Sequence, residues 1–176
     1  IGNGLTDLAN IDFRSLGGLT SVTIGDGVGA IGDSSFASCH SLASVLIGNG
    51  VTNIGYGVFS HCVTLSNVVF GTNVAVIGSD AFNDCTNLVE LDIPDSVRNI
   101  ENGAFCGCGG LVRVEMGAGV TNIEMFAFWW CTNLLNAAIG EGVVSIEDYA
   151  FSCCTGMTNA VIPDSVTTMG TGAFDD

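Results

Sequence analysis

Apolar residues recur along this chain at a fixed interval of 23 residues, without an insertion in any repeat. The column that opens each repeat contains Ile1, Ile24, Ile47, Phe70, Ile93, Met116, Ile139 and Ile162. Further columns at the same interval are represented in one repeat by Val51, Ile54, Phe59, Cys62, Leu65 and Val68. One repeat cannot bury its own apolar face, whereas stacked repeats cover one another, so this pattern predicts a solenoid.

Each repeat predicts two strands. Residues 42–47 end in alternating apolar and variable positions, which is typical of a strand with one buried face. Gly48 and Gly50 then indicate a tight turn, and residues 51–54 predict a second, shorter strand. Residues 55–62 favour a helical or 3₁₀ turn because Phe59 and Cys62 are three residues apart. We therefore expect a parallel β-sheet on the concave face, and short strands with helical or 3₁₀ turns on the convex face.

The uniform repeat predicts one solenoid domain covering residues 1–176, with about seven and a half repeats. Solenoids usually carry polar capping repeats over their open sheet edges. Neither end of this sequence has the pattern of a cap, so the chain is interpreted as an excerpt of a longer protein.

The sequence resembles the BspA-like, or Treponema-type, leucine-rich repeat family. The motif of that family is matched by the run I-P-D-S-V-R-N-I at residues 93–100, followed by Ala104, Phe105, Cys108 and Leu111. The resemblance covers the whole chain and implies a leucine-rich-repeat fold. It also implies a secreted or surface-attached protein that is similar to adhesins.

The net charge of the chain narrows the classes of molecule that it is expected to bind. The net charge is −15, with three arginines and no lysine. Nucleic acids and anionic lipids are bound through Lys and Arg, so neither is an expected partner. No apolar stretch reaches the length of about 18 residues that a membrane helix needs, so we expect no membrane insertion.

No residue pattern predicts catalysis. The sequence has neither the G-x-S-x-G motif nor a phosphate-binding glycine loop, and His40 and His61 fall at different positions of their repeats. We expect no enzymatic activity, no catalytic residue, no cofactor and no metal site. Six cysteines share a column with Leu16, which indicates buried reduced thiols, with occasional bridges or metal as the alternative. Cys106 and Cys153 are the expected exposed thiols.

One acidic column leaves two interpretations open. Glu101, Glu124 and Glu147 follow the short strand in three consecutive repeats, where like charges repel one another. The column could bind a cation or raise a carboxyl pKa, or it could form a solvated edge.

The outward positions of the broad strands form the first predicted binding surface. Its residues are Leu46, Val69, Glu90, Asp92, Arg113 and Glu115. Solenoids use such faces to bind ligands, and the charged centre with apolar flanks suits a peptide or a glycan. The alternative is a face that merely tolerates variation.

An aromatic ridge is the second predicted binding surface. It consists of Phe126, Trp129, Trp130 and Tyr149, at positions where other repeats carry small or polar residues. Trp and Tyr are enriched in interface anchors and in surfaces that stack on sugars. Local packing is the alternative explanation.

These features predict an extracellular or cell-surface adhesion module with a protein or glycan ligand. The alternative is a structural subunit of a surface fibre, assembled by end-to-end or lateral stacking. Self-association would then use the uncapped ends or the aromatic ridge.

Overall fold

A computed structural model describes Thr6, Leu8 and residues 11–176; Ile1 and Leu5, the first members of two predicted columns, lie outside the described residues. Each repeat contributes a broad strand and then a short strand. The broad strands are β1 (Ser21–Ile24), β3 (Ser44–Ile47), β5 (Asn67–Val69), β7 (Glu90–Ile93), β9 (Arg113–Met116) and β11 (Asn136–Ala138). The short strands are β2 (Ala30–Ile31), β4 (Asn53–Ile54), β6 (Val76–Ile77), β8 (Asn99–Ile100), β10 (Asn122–Ile123), β12 (Ser145–Ile146) and β13 (Thr168–Met169).

The short strands form one continuous seven-stranded parallel sheet in the order β13-β12-β10-β8-β6-β4-β2. Each residue pairs with the residue 23 positions away, as Ile54 does with Ile77 and Ile77 with Ile100. The predicted 23-residue parallel solenoid is therefore confirmed.

The broad strands are divided into two three-stranded sheets, β1-β3-β5 and β7-β9-β11. Between β7 and β9, the Gly117 N–H donates to the Ile93 carbonyl at 2.8 Å. The equivalent nitrogen one repeat earlier belongs to Pro94, which has no N–H to donate to Phe70. The division between β5 and β7 coincides with this missing donor, and we call it the sheet break.

The second proline stands at the same position of a later repeat. Pro163 follows residues 159–162, which form no strand beside β11 in the described structure. Both prolines of the chain therefore follow a segment that is not paired with the preceding broad strand.

The stretch after each short strand differs from the prediction. It forms hydrogen-bonded turns, and residues 11–176 contain no α- or 3₁₀-helix. Its donors alternate in direction: the Cys62 N–H bonds the Phe59 carbonyl within the turn, but the Phe59 N–H bonds Ala81 of the next repeat at 2.7 Å. Gly57 and His61 have φ near +59° and +58°. Consecutive helical bonds cannot form because alternate donors bind the next repeat.

The core is built around a stack of phenylalanine rings, which we call the phenylalanine ladder. Its fully buried members are Phe36, Phe59, Phe82, Phe105, Phe128 and Phe151. Successive rings lie 5.1–5.4 Å apart between centroids. The ladder joins each repeat to the next through apolar and aromatic contact.

The cysteine column packs beside the ladder as free thiols. Each Sγ donates to the carbonyl of the phenylalanine 26 residues earlier, as Cys62 does to Phe36 at 3.2 Å and Cys108 does to Phe82 at 3.2 Å. All eight cysteines are free, and six are buried. Burial raises the pKa of the Cys62 thiol to about 12. This column supplies a small apolar side chain together with one weak hydrogen-bond donor.

A thiol titration should separate the cysteines into two groups. We expect Cys106 and Cys153 to react with a thiol reagent in the native protein, because both are partly exposed. Cys106 should react slowly at neutral pH, since burial followed by the charges of Asp84 and Asp80 raises its pKa to about 11. The other six should react only in denaturant. More than two reactive thiols in the native protein would contradict their burial.

Candidate functional site

A groove crosses the broad-strand face at the sheet break. One cleft of about 520 Å³ lies between β5 and β7 and is lined by Asn67, Val69, Phe70, Val89, Glu90 and Asp92, among others. A second of about 320 Å³ lies over β3 and includes Leu46. The two clefts share Val69 and Phe70. We call this joined depression the sheet-face groove, and its volume is in the range of ligand sites.

Strand pleating positions the apolar half of the groove. Leu46 is 46% exposed between the buried Val45 and Ile47, and Val69 is equally exposed on β5. Next to Val69, Phe70 is half-buried and packs edge-on against Phe82, with ring centroids 5.8 Å apart. An aromatic ring thus replaces, at the break, the isoleucine that opens most repeats.

Glu90 and Asp92 line the other half of the groove, and Arg113 and Glu115 lie beside them on β9. The Arg113 guanidinium lies 3.5 Å from the Glu90 carboxylate and 3.2 Å from that of Asp92, and it also pairs with Glu115. The hydrogen bond with Glu115, together with the charges of the three acids, raises the pKa of Arg113, and desolvation opposes this shift only in part. One cation among three carboxylates leaves a surplus of two negative charges. Exposed pairs of this kind stabilise the fold little, so their main effect is on the surface potential.

The predicted ridge residues form one contiguous cluster. The Phe126 and Tyr149 rings stack at 5.5 Å with 7° between their planes. Phe126 also contacts Trp129 at 5.6 Å, and Trp129 stacks on Trp130 at 5.3 Å. Trp130 is the most exposed of them, at 55%. The aromatic ridge lies on the turn stretch and the groove on the broad strands, so the predicted residues form two separate surfaces.

Three ridge residues adopt a backbone conformation that bulky side chains rarely tolerate. Phe126, Trp130 and Tyr149 have φ near +59°, +60° and +56°. The corresponding left-handed positions of other repeats are occupied mainly by glycine or small polar residues: Ser34, Ser38, Gly57, His61, Asp80, Asp84, Gly103, Gly107, Cys153 and Gly172. Left-handed backbone costs a non-glycine residue on the order of 1–2 kcal/mol. Strain of this kind is concentrated at functional sites.

Two carboxylates of the acidic column bind backbone groups. The Glu101 carboxylate accepts from the Ser79 N–H at 3.0 Å and from its hydroxyl at 3.2 Å. Glu124 accepts from the Asn102 N–H at 3.2 Å. Burial, followed by the charges of Glu101 and Glu147, raises the pKa of Glu124. Across Thr6, Leu8 and 11–176, no cluster of His, Cys, Asp and Glu is arranged to hold a metal ion.

Replacing Glu124 with glutamine should stabilise the protein at neutral pH. The folded-state pKa of this carboxyl is raised, so its contribution to stability falls as pH rises above its ordinary value of 4.5. Glutamine removes the repulsion and retains an oxygen acceptor for the Asn102 N–H. Thermal melts should show a higher Tm for the variant at pH 7 and a smaller difference near pH 4. A variant that is less stable at pH 7 would contradict this interpretation.

Comparison with known proteins agrees with the fold. Residues 1–89 and 58–176 match the sequence profile of a protein family described as "BspA type Leucine rich repeat region (6 copies)". The chain belongs to this family. The BspA-type match spans the whole chain, as the resemblance in the sequence implies. No curated protein sequence matches the chain significantly.

Solved structures extend the comparison. A leucine-rich repeat protein of T. pallidum is 29% identical with a TM-score of 0.80, and the alignment covers 88% of this chain and 72% of that protein. One from Eubacterium ventriosum is 27% identical with a TM-score of 0.79, covering 89% and 42%. One from Bacteroides ovatus is 29% identical with a TM-score of 0.66, covering 90% and 47%. The chain thus spans less than half of the latter two proteins.

This BspA-type chain has a further cleft that the sequence did not indicate. A depression of about 230 Å³ on the turn stretch is lined by Tyr56, His61 and Asp80, among others. His61 lies 3.2 Å from the Asp84 carboxylate and is largely exposed. The only signal in the sequence was Tyr56, which occupies a column that other repeats fill mostly with polar residues. No helix in the described part of the chain is long and apolar enough to cross a membrane.

Proposed function

We propose that this chain is a non-enzymatic binding module of an extracellular or cell-surface protein, which holds a protein or glycan ligand. The observation that carries the proposal is the sheet-face groove, where the two clefts join at Val69 and Phe70. The groove is large enough for a ligand and combines apolar and charged walls. The aromatic ridge provides a second contact surface.

The chemistry of the side chains supports binding over catalysis. Burial raises the pKa of the Cys85 and Cys131 thiols well above the ordinary range, which makes them poor nucleophiles. The His61 ring pairs with Asp84 on an exposed turn, and the His40 ring contacts a backbone carbonyl. Neither histidine lies beside a nucleophile in these contacts. The resemblance to the BspA-like family supports the extracellular or cell-surface location.

The test is a screen of matrix proteins and glycans with matched surface variants. The groove variant Leu46→Ser with Val69→Ser, and the ridge variant Trp129→Ser with Trp130→Ser, should fold nearly normally and lose their respective ligand. Val144→Ser is the control, because Val144 is 43% exposed and belongs to neither surface. Circular dichroism checks folding. If the wild type binds nothing, or if both variants bind as it does, the proposal fails.

Self-association is a second candidate, favoured by the exposure of Trp130. Large exposed aromatic patches are unusual on monomers and often mark protein interfaces. Size-exclusion chromatography with light scattering would show a mass that rises with concentration, and Trp130→Ser would restore the monomer. A monomer of 18.0 kDa at all concentrations would contradict this candidate.

A further inference from the structure

The sheet break leaves two parallel strand edges within the broad-strand face. β5 is paired only with β3, and β7 only with β9. Between β7 and β9, the Val112 and Arg113 N–H groups bond the Val89 carbonyl at 2.8 and 3.3 Å. In the described structure, Val89 and Glu90 make no corresponding bonds to Ser66. The backbone donors of β7 and the backbone acceptors of β5 therefore both face the break, but they do not form hydrogen bonds with each other.

We propose that an extended, cationic peptide segment of another protein docks at the sheet break and adds a strand to the edge of β7. This proposal rests on the binding role of the sheet-face groove and specifies its ligand. Adding a strand to an open sheet edge gives affinity through backbone hydrogen bonds, while side-chain pockets select the sequence.

Charge spacing identifies the kind of peptide. Glu90 and Asp92 are exposed and two residues apart, so they lie on the same face of β7. A paired strand presents alternate side chains at this same spacing, so cations at alternate positions would lie opposite the two carboxylates. Arg113 neutralises only one charge of the local group. The surplus of negative charge therefore favours a peptide with Lys or Arg at every second residue.

The partner must come from a different sequence. This chain has three arginines and no lysine, and its net charge is −15. Two copies would repel one another across the groove. The apolar wall formed by Leu46 and Val69 would accept an apolar residue of the bound peptide, since both side chains are 46% exposed.

Pro94 removes one backbone donor from this edge. Six other repeats carry glycine at this position, namely Gly2, Gly25, Gly48, Gly71, Gly117 and Gly140. Gly117 uses its N–H to bond the preceding strand, and Pro94 cannot do so. Replacing Pro94 with glycine restores this donor and should allow β5 and β7 to pair. Pro163→Gly is the matched control, because Pro163 has the same repeat position but lies outside the groove.

The test uses calorimetry with a blocked six-residue peptide of alternating valine and lysine. We expect measurable binding to the wild type and to Pro163→Gly. Methylating alternate backbone nitrogens of the peptide should weaken binding by about tenfold or more, since at least two backbone hydrogen bonds are lost. Pro94→Gly, and Glu90→Gln combined with Asp92→Asn, should each weaken binding by a similar factor. Thermal melts confirm that the variants fold.

Each contrary result has a distinct meaning. Equal binding of the methylated peptide and equal binding by Pro94→Gly would show charge attraction alone and overturn strand addition. No binding of the valine-lysine peptide at millimolar concentration would also overturn it. In both cases, the protein and glycan screen still decides the binding role of the groove, so failure of the specific ligand and failure of the proposed function are distinguishable.

Discussion

Replacing Phe105 with alanine is expected to lower the free energy of unfolding by about 3–5 kcal/mol, the range for large-to-small changes at buried aromatic positions. Phe105 is fully buried, and its ring stacks on Phe82 and Phe128 at 5.2 Å on either side. The substitution removes one ring from the middle of the phenylalanine ladder and leaves a cavity between two repeats. Each repeat contacts only its neighbours, so the packing that is lost lies between repeats at the centre of the core.

Urea denaturation followed by circular dichroism measures this loss. Phe105→Leu is the matched variant, because it retains apolar volume and should cost less than Phe105→Ala. A second, earlier transition in the alanine variant would show that the repeats on the two sides unfold separately. A decrease below about 1 kcal/mol would contradict the central role of the ladder.

Trp130→Gly is expected to be more stable than Trp130→Ala by about 1 kcal/mol. Both substitutions remove the same indole ring and its contact with Trp129. They differ in the backbone, because Trp130 has φ near +60°, a value that glycine adopts without the steric cost of a Cβ atom. Both variants should lose any ligand that requires the ridge. The comparison therefore isolates the strain imposed by an aromatic residue at this position.

The same pair of substitutions at Trp129 is the control. Trp129 does not have a positive φ, so alanine should be the more stable replacement there, by about 0.5–1 kcal/mol. Thermal and urea melts of the four variants measure both differences. Glycine and alanine of equal stability at position 130 would show that the ridge carries no backbone strain.

The sequence was sufficient to predict the register and the core. A buried position that is apolar in one repeat is apolar in the next, and stacking at 23 residues places equivalent side chains in contact, as with Phe59 and Phe82. The cysteine column was also predicted as buried thiols, because six of its members replace a leucine. The first member, Leu16, is nevertheless 49% exposed.

The backbone conformation of the turn stretch could not be predicted from the residues of one repeat alone. Spacing between Phe59 and Cys62 favours a helical turn, and that prediction was wrong because alternate N–H groups bond the next repeat. The left-handed conformations at Phe126 and Trp130 follow from the same inter-repeat bonds. Aromatic residues do not favour φ above zero, so no propensity of these residues indicates it.

The candidate site was predicted in part. Alternation along the strands identified Leu46 and Val69 as outward-facing, and the structure places Glu90 and Asp92 beside Val69 in one groove. The sheet break was not predicted, because it depends on the pairing between two repeats and not on the pattern within one repeat. Pro94 has no N–H to donate to the Phe70 carbonyl of the preceding repeat.

The sheet break also determines how the module responds to mechanical load. Hydrogen bonds between stacked parallel strands run along the axis of the stack, so tension between the ends loads them one junction at a time. The junction between β5 and β7 retains the bonds of the short-strand sheet and lacks those of the broad strands. It is therefore one of the two most compliant joints of the described repeats, with the junction before Pro163, and a stretched molecule would bend at these joints first, with the seven-stranded sheet as the hinge.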